Sequence, residues 1–457
     1  MQSRENLLAE APINKLLIKL SVPAIVGMFV IALYNIVDTI FVGRGVGMTA
    51  ITAISIIFPL YMIIMAFSQV FGVGGASLIS RKLGERKKEE AETVLGNVLS
   101  LVFLSSIIIS ILLLVFIEPL MKIFGASEEI LPLSIKYGQI IFGGLIFFSF
   151  GVAASSLVRA EGEAKMAMLS MILGSIINII LDYIFIIKYN WSVAGAAWAS
   201  VLSNVFSFFY IFSFYFLGKS LLKIKIKNFK LQKNIVKEIF GIGLSDFARQ
   251  SSFSLVVVII NRLLGFYGGD LAIATYGIVQ RLVSFVMMPI FGLIQGMQPI
   301  VGFNYGAGDV KRVLKTIRLS VFYGTCLSVF AFFIFLFFSR FMVAIFTTEK
   351  DLLEMGEHAL KIIFLSAPFI GLQVVSGGMY QAMGRAGVAF FISIFKQFLV
   401  LIPFLFILSY LFNLDGIWYA FAISDVIAFV VSFYLYKREI KLIKERSELG
   451  NNIEVKI

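Results

Sequence analysis

The chain has 457 residues, of which 59% are hydrophobic and only 14% are charged. Soluble domains are about half apolar and about a quarter charged, so this composition excludes a soluble enzyme and indicates a membrane protein. Its single cysteine and single histidine exclude an internal disulfide scaffold and a zinc module. The formal net charge of +12 is interpreted as basic membrane loops rather than as a nucleic-acid-binding surface.

Apolar runs between charged or Gly, Pro and Asn clusters predict twelve transmembrane helices, here called spans one to twelve. The first run lacks the short hydrophobic core and cleavage site of a secretory signal, so we expect span one to remain in the mature protein. The first six spans are predicted at 15–42, 52–80, 94–117, 133–157, 166–187 and 193–217. The other six are predicted at 236–264, 272–303, 315–346, 358–380, 388–411 and 415–436.

Clusters of lysine and arginine predict the orientation of these spans. They follow spans two, four, eight and twelve, and they include Arg81, Lys82, Arg86, Arg159, Lys165, Lys311, Arg312, Lys437 and Arg438. Basic loops are retained on the cytoplasmic side of a membrane. We therefore expect a multi-pass protein of the cytoplasmic (inner) membrane with both termini in the cytoplasm.

The two halves of the chain repeat with a constant offset, which is the separation between Gly84 and Gly306. The same offset relates Ala160, Gly162 and Ala164 to Ala382, Gly384 and Ala386. We expect an all-α integral membrane protein with twelve transmembrane helices in two pseudo-symmetric six-helix bundles. The predicted N-lobe covers 1–217, a cytoplasmic linker 218–235, the C-lobe 236–440 and a cytoplasmic tail 441–457. Such duplications are typical of alternating-access transporters.

Two acidic residues lie inside predicted spans of the first half. A charged side chain in the bilayer core costs about 2.5 to 3.5 kcal/mol even on the most lenient scale, so such residues are candidates for function. Asp38 in span one and Asp182 in span five each stand six residues before a basic residue, Arg44 and Lys188 respectively. Because both helices run outward, we expect the two carboxyl groups at the same depth.

The helical neighbours of these acids are polar. Asn178 precedes Asp182 by four residues, and Tyr34 and Asn35 precede Asp38 by four and three. These spacings place each acid on a face with hydrogen-bonding side chains. A buried carboxylate pair can take up a proton or share a small cation. Competition between that ion and a cationic substrate is the physical basis of antiport; the structural alternative is that each acid only pairs with a neighbouring helix.

The second half shows a different pattern. There is no acid over 247–266 of span seven or over 360–383 of span ten. Lys396 and Asp425 are expected to form a buried pair with a structural role. Gln250 of span seven is a candidate for the substrate cavity.

These motifs resemble the multidrug and toxic compound extrusion (MATE) family. The resemblance covers essentially the whole chain, and its most specific element is an Asp-Thr-Ile sequence near the outer end of span one. It is carried by the stretch from Tyr34 to Ile40 with Pro23 upstream, the stretch from Asn178 to Asp182, Ala199 with Ser200, and the turns at Gly84 and Gly306. It implies twelve spans in two lobes and the exchange of drugs for Na⁺ or H⁺.

The resemblance also implies roles for individual residues. Those expected to form an N-lobe site for Na⁺ or H⁺ are Asp38, Asn178, Asp182 and Ser200. Ser200 also lies roughly 10 Å from the outer start of span six, a depth compatible with that expected for Asp38 and Asp182. Tyr34 is expected in the substrate cavity or its polar network, and Pro23 at the bending point of span one. Asn35, a helical neighbour of Asp38, is a further candidate for that cavity or network. Members that bind a cation in the C-lobe use acids in spans seven and ten that this chain lacks.

The sequence therefore predicts an antiporter, not an enzyme. It would export organic, often cationic, compounds in exchange for H⁺ or Na⁺, without a cofactor or a nucleic-acid partner, and act in the lipid bilayer as a monomer. A flippase for lipids or lipid-linked sugars is the alternative within transport. A membrane-embedded enzyme or receptor is the alternative outside it, although no nucleophile and base pair supports one.

Overall fold

The computed structural model describes residues 2–454, which contain helices and no β-strand. The first residue of the predicted N-lobe and the last three of the predicted tail lie outside the described residues. Two compact units make up the chain. The first comprises Met1–Glu10 and Val22–Gly243, and the second comprises Ala11–Ser21 and Leu244–Ile457.

Spans one to six lie in the first half of the chain and begin after a short helix, Gln2–Glu10. Span four consists of two helices bent by 52° at Gly144. Span five continues from an α-helix into a π-helical segment. The helices of these spans are Ile13–Gly45, Met48–Gly84, Lys88–Val115, Leu131–Gly143 with Leu145–Ala160, Ala164–Asp182 with Tyr183–Lys188, and Ser192–Phe216.

Spans seven to twelve follow a short 3₁₀ turn at Ile226–Phe229. Span ten is again a bent pair, with an angle of 56°. Two long helical stretches, Lys233–Gly306 and Ala386–Glu445, each contain two spans. The helices of this half are Lys233–Gly306, Val310–Ala344, Lys350–Phe364 with Ala367–Ala382, Ala386–Ile394 with Phe395–Leu401, and Ile402–Glu454.

The two long helical stretches are broken by residues in the left-handed region. Gly269, with φ of 64°, separates span seven from span eight. Asn413, with φ of 53°, separates span eleven from span twelve, and asparagine tolerates this conformation better than most side chains. Eight described helices are long and apolar enough to cross a membrane, and two bent pairs add two spans. Counting the two broken stretches as two spans each gives the twelve predicted spans.

The offset that relates the two halves falls on the ends of helices. Helices end at Gly84 and at Gly306, and the second halves of the two bent spans end at Ala160 and at Ala382. Both bent spans resume after their bend at positions related by the same offset, Leu145 and Ala367, and both are followed by glycines with positive φ. The repeat seen in the sequence is therefore a repeat of helix boundaries.

Glycines at the same offset allow close helix packing in each unit. Gly74 in span two lies against the backbone of Ile239, and a Cβ at this position would overlap the carbonyl oxygen of Ile239. Gly296 in span eight lies in the same way against Ser21, whose hydroxyl donates to the carbonyl of Leu293 at 3.4 Å. Each unit thus packs an end segment of a helix that continues into the other unit.

Two hydrophobic clusters of the first unit lie around the C-terminal ends of spans one, three and five and the N-terminal ends of spans two, four and six. One cluster includes Ile57 and Phe142, and a second includes Val42 and Ile186. Tyr137 contacts both clusters. This packing fixes the helices that carry the acidic residues of the first half.

Candidate ion-binding site

Spans one and five lie side by side in the same register. A Cβ on Gly27 would lie 2.7 Å from the sulfur of Met171, so the Met171 side chain packs directly on the backbone of span one at this glycine. Gly27 and Met171 each stand eleven residues before an acid, Asp38 and Asp182 respectively. Further along, Gly45 packs against Ile186. Two parallel helices in equal register carry their acids to the same level.

The two acids of the first unit come together. Asp182 is fully buried, and Asp38 is partly buried with its Oδ1 atom shielded from solvent. Their carboxyl groups are close enough to share a hydrogen bond when one of them carries a proton. No lysine or arginine forms an ion pair with either acid within residues 2–454. The pair therefore has no basic residue to neutralise it.

Five buried polar atoms at this point have no hydrogen-bond partner in the described chain. They are Oδ1 of Asp38, both carboxyl oxygens of Asp182, and the oxygen and nitrogen of the Asn178 amide. Asn178 is 1% exposed, one helical turn before Asp182. An unsatisfied buried polar group costs about 1 to 3 kcal/mol, so such a cluster calls for a ligand or a proton.

The chemistry of these atoms fits a small hard cation or a proton. Carboxylate and amide oxygens are the ligands that hard cations prefer. No group of three or more His, Cys, Asp or Glu side chains that could hold a metal ion occurs in the part of the chain that the structure describes. Two carboxylates and one amide can take up H⁺ or hold a small cation such as Na⁺.

Two tyrosines lie beside the acid pair, and a third tyrosine and a serine lie next to them. Tyr34 and Tyr137 both lie within range of direct electrostatic interaction with the two acids. Ser200 lies beside the hydroxyl of Tyr137, and Tyr61 lies next to Tyr34 and Tyr137. The structure thus adds Tyr61 and Tyr137 to the predicted residues. The signal for them was a polar aromatic residue inside an apolar helix, but this chain has 16 tyrosines, so the signal alone selects none.

The contacts of three other predicted residues do not involve the acid pair. Asn35 is exposed, and its backbone carbonyl accepts a hydrogen bond of 2.8 Å from Thr39. Pro23 lies in a helix that runs unbroken from Ile13 to Gly45, one residue after the division between the two units at Val22. Gln250 belongs to the second unit, where its amide donates to Asp246 at 3.2 Å. The roles of these residues stay predictions.

The second unit also contains buried acids within its spans, but these have basic partners. Asp425 is 5% exposed and accepts from Lys396 and, at 3.1 Å, from the hydroxyl of Ser366. Asp246 is 7% exposed and accepts from Arg249 at 2.7 Å. Asp246 lies one residue before the acid-free stretch 247–266, and the sequence analysis missed it. The sequence feature that indicates a structural ion pair at Asp246 is Arg249, three positions later on the same helix.

Helix distortions accompany ionisable residues in both units. The π-helical segment Tyr183–Lys188 begins directly after Asp182. A second π-helical segment, Phe395–Leu401, contains Lys396. Segments of this kind are rare in proteins as a whole, but those that occur are often found at functional sites, because they shift side chains out of the regular α-helical register.

Comparison with known proteins agrees with this architecture. The MatE family model matches residues 23–184 and again 247–407, so it matches each half of the chain once, at nearly equivalent positions of the repeat. The chain is similar to the multidrug export protein MepA of Staphylococcus aureus (strain MSSA476), with 30% identity over 96% of this chain and 97% of that protein.

Solved structures show the same similarity. A MATE transporter crystallised in a bent conformation superimposes with a TM-score of 0.92 at 27% identity, over 97% of this chain and 99% of that one. A structure in a straight conformation gives 0.90 at 27% identity, over 96% and 98% of the two chains. The multi-pass membrane helices, the duplicated six-span plan and the twofold match all lead to one conclusion: the chain belongs to the multidrug and toxic compound extrusion (MATE) family of transporters.

Proposed function

We propose that this transporter is an antiporter that exports organic, often cationic, compounds in exchange for H⁺ or Na⁺. The observation that carries the proposal is the buried pair of Asp38 and Asp182, which has no basic partner in the described residues. Such a pair is unfavourable in an apolar medium unless its negative charge is reduced. Uptake of a proton or a sodium ion supplies that reduction.

The residues of the site divide the work of holding the ion. Asp182 and Asp38 supply negative charge, and the amide oxygen of Asn178 supplies a neutral ligand one turn away. The hydroxyl pair of Tyr137 and Ser200 provides hydrogen bonds beside the acids. When the ion is bound, the charge that attracts a cationic substrate is reduced, so ion and substrate compete for one charged state of the transporter.

The energetics of this exchange are adequate for export. A membrane potential of about 100 mV supplies about 2.3 kcal/mol for each charge that crosses, and about 1.4 kcal/mol corresponds to a tenfold concentration ratio. When two such ions enter for each monovalent organic cation that leaves, one net positive charge enters, so this potential supports at least a tenfold substrate gradient. A one-for-one exchange moves no net charge and depends on the concentration gradient of the ion. Alternating access of the duplicated halves provides the path.

The substrate class is supported by the relatives. The similar protein of Staphylococcus aureus is called a multidrug export protein, and it matches almost the whole chain. We propose that the protein lies in the cytoplasmic membrane with both termini in the cytoplasm, because its basic residues cluster after even-numbered spans. Its action as a monomer stays a prediction. The flippase alternative is not favoured, because the matched relatives are named for drug export.

Dye efflux from proteoliposomes tests this function. The purified transporter is reconstituted, loaded with a fluorescent organic cation, and exposed first to an imposed pH gradient and then to an imposed Na⁺ gradient. We expect one of the two gradients to drive efflux, and an ionophore that collapses the gradient to stop it. Efflux that neither gradient accelerates would contradict the proposal; empty liposomes provide the background rate.

A further inference from the structure

The segment that joins the two halves is held firmly by buried polar side chains of the first unit. Asn97 of span three is 0% exposed, and its amide donates to the carbonyls of Asn228 at 3.1 Å and Lys230 at 3.2 Å. Its carbonyl oxygen accepts from the backbone of Gln232 at 2.7 Å, and Ser100 donates to the carbonyl of Phe229 at 2.8 Å. Such contacts are not those of a flexible linker.

Two buried glutamates hold the start of the same segment. Glu161 is 0% exposed and accepts from the hydroxyl of Ser220 and from the backbone of Leu221 at 2.6 Å. Glu92 is 3% exposed and forms an ion pair with Lys225. The hydrogen bond to Glu92 raises the pKa of Lys225 above its ordinary value. The backbone of residues 220–232 is therefore fixed against the first unit.

Residues 220–232, here called the strap, carry alternating basic and apolar side chains on their outer side. Lys223, Lys227 and Lys230 are exposed and form no ion pair with an acid among the described residues. Between them Ile226 is 91% exposed, and after them Leu231 is 41% exposed. Apolar side chains set between lysines on a fixed backbone are typical of a surface that lies in a membrane interface.

The position of the strap on span three agrees with an interfacial location. Asn97, Ser100, Leu104, Ile108 and Ile111 share one face of this helix by their spacing. The strap covers the first two, whereas Leu104, Ile108 and Ile111 are exposed by 47%, 56% and 56% as expected for a lipid-facing surface. The strap thus ends about one helical turn, about 5 Å, from the lipid-facing part.

We propose that the strap 220–232 is a binding site for anionic phospholipid headgroups. The phosphate interacts with Lys223, Lys227 and Lys230, and Ile226 enters the upper acyl region beside span three. The charge is complementary, because the strap carries unpaired positive charge and the headgroup is negative. Since the strap is the segment of chain that connects the two halves, a lipid bound here contacts that connecting segment.

A binding titration of the full-length protein in detergent tests this proposal. Leu231→Cys is introduced in a Cys326→Ser background and labelled with an environment-sensitive fluorophore, since Cys326 is the single native cysteine. Soluble short-chain phosphatidylglycerol, short-chain phosphatidylcholine and glycerol phosphate are then added in separate titrations. We expect the first to bind at least tenfold more tightly than either of the others.

Matched variants assign the binding to the strap. Each lysine near an anionic surface contributes roughly a fivefold factor in affinity, so Lys223→Gln with Lys227→Gln and Lys230→Gln should weaken binding more than tenfold. The control removes three exposed lysines elsewhere, with Lys311→Gln, Lys315→Gln and Lys444→Gln, and should leave the affinity unchanged. Ile226→Ser should weaken the binding of phosphatidylglycerol but not the binding of glycerol phosphate.

Three results would overturn the proposal. Equal affinity for phosphatidylcholine would show that binding does not depend on the negative charge of the headgroup. Equal affinity for glycerol phosphate would show a simple anion site rather than a lipid site. Equal weakening by the control triple variant would show a general effect of net charge. None of these outcomes depends on drug transport, so they leave the proposed antiport unaffected.

Discussion

The two halves of the chain share one helical plan but differ in how they treat buried acids. In the first unit Asp38 and Asp182 meet each other and have no basic partner within residues 2–454. In the second unit Asp425 meets Lys396, and Asp246 meets Arg249. The same duplicated architecture thus contains a pair of like charges on one side and pairs of opposite charges on the other.

The difference separates a binding role from a structural role. An ion pair inside an apolar region is already neutral, so it has no need of a further ion. Two adjacent carboxylates repel each other unless one takes up a proton or both share a cation. This comparison supports the proposed ion coupling in the first unit and a structural role for the acids of the second, and the substitutions below test both proposals.

Asp182→Asn should have the largest effect. The amide cannot carry the negative charge that attracts the ion, so we expect ion-driven dye efflux to fall at least 100-fold, which corresponds to about 2.7 kcal/mol. Efflux is measured in proteoliposomes containing equal amounts of inserted protein. Asp182→Glu keeps the carboxylate and should retain measurable efflux; equal loss in both variants would indicate a packing defect instead of a missing charge.

Asp425→Asn should reduce stability rather than coupling. It leaves Lys396, which is 27% exposed, without its counter-ion, and the partial exposure limits the cost to about 2 to 3 kcal/mol. We expect a lower unfolding temperature in detergent but normal efflux per folded molecule. The double variant Lys396→Leu with Asp425→Leu should recover stability. A loss of ion-driven efflux in this stable double variant would place coupling in the second unit as well.

Gly74→Ala and Gly296→Ala should affect the two units equally. In each case the added Cβ overlaps a neighbouring helix segment, so we expect a loss of about 1 to 3 kcal/mol in stability. The matched controls are Gly151→Ala and Gly277→Ala, where a Cβ meets nothing within 4 Å and where about 0.5 to 1 kcal/mol should be gained. Thermal unfolding of the four proteins is the measurement. A neutral result at Gly74 or Gly296 would show that the close packing is not required.

Tyr137→Phe should have the smallest effect. The variant removes the hydroxyl that lies beside Ser200 and the acid pair, and a single hydrogen bond from such a group contributes about 0.5 to 1.5 kcal/mol. We expect efflux to slow by roughly two- to tenfold with little change in unfolding temperature. Tyr189→Phe, at an exposed position, serves as the control. An efflux rate equal to that of the parent protein would remove Tyr137 from the site.

The fold was predictable because membrane helices leave strong signals in the sequence. Long apolar runs indicated the spans, and small residues in loops indicated the repeat, which the structure places at helix ends such as Gly84 and Gly306. The bends inside spans four and ten were not predicted. The first falls at Gly144, where no proline marks a break. The second falls at Ser366, where the signal is Pro368, since proline is favoured in the first turn of a helix.

The candidate site was partly predictable. A carboxylate in an apolar span is costly, so Asp38 and Asp182 stood out, and the matched distances to Arg44 and Lys188 indicated their common depth. Tyr61 and Tyr137 were missed because which of 16 tyrosines faces the acids depends on how helices rotate against each other. The linker was interpreted from its lysines alone, and the buried side chains that hold it lie far away in the sequence.

The most direct test of the account compares Asp38→Asn with the parent protein in two assays of one preparation. The account predicts that the variant inserts and binds a fluorescent organic cation measurably but no longer exports it when the coupling ion gradient is imposed. A variant that exports the dye under that gradient at the parental rate would contradict the account, because the acid pair would then not take up the coupling ion.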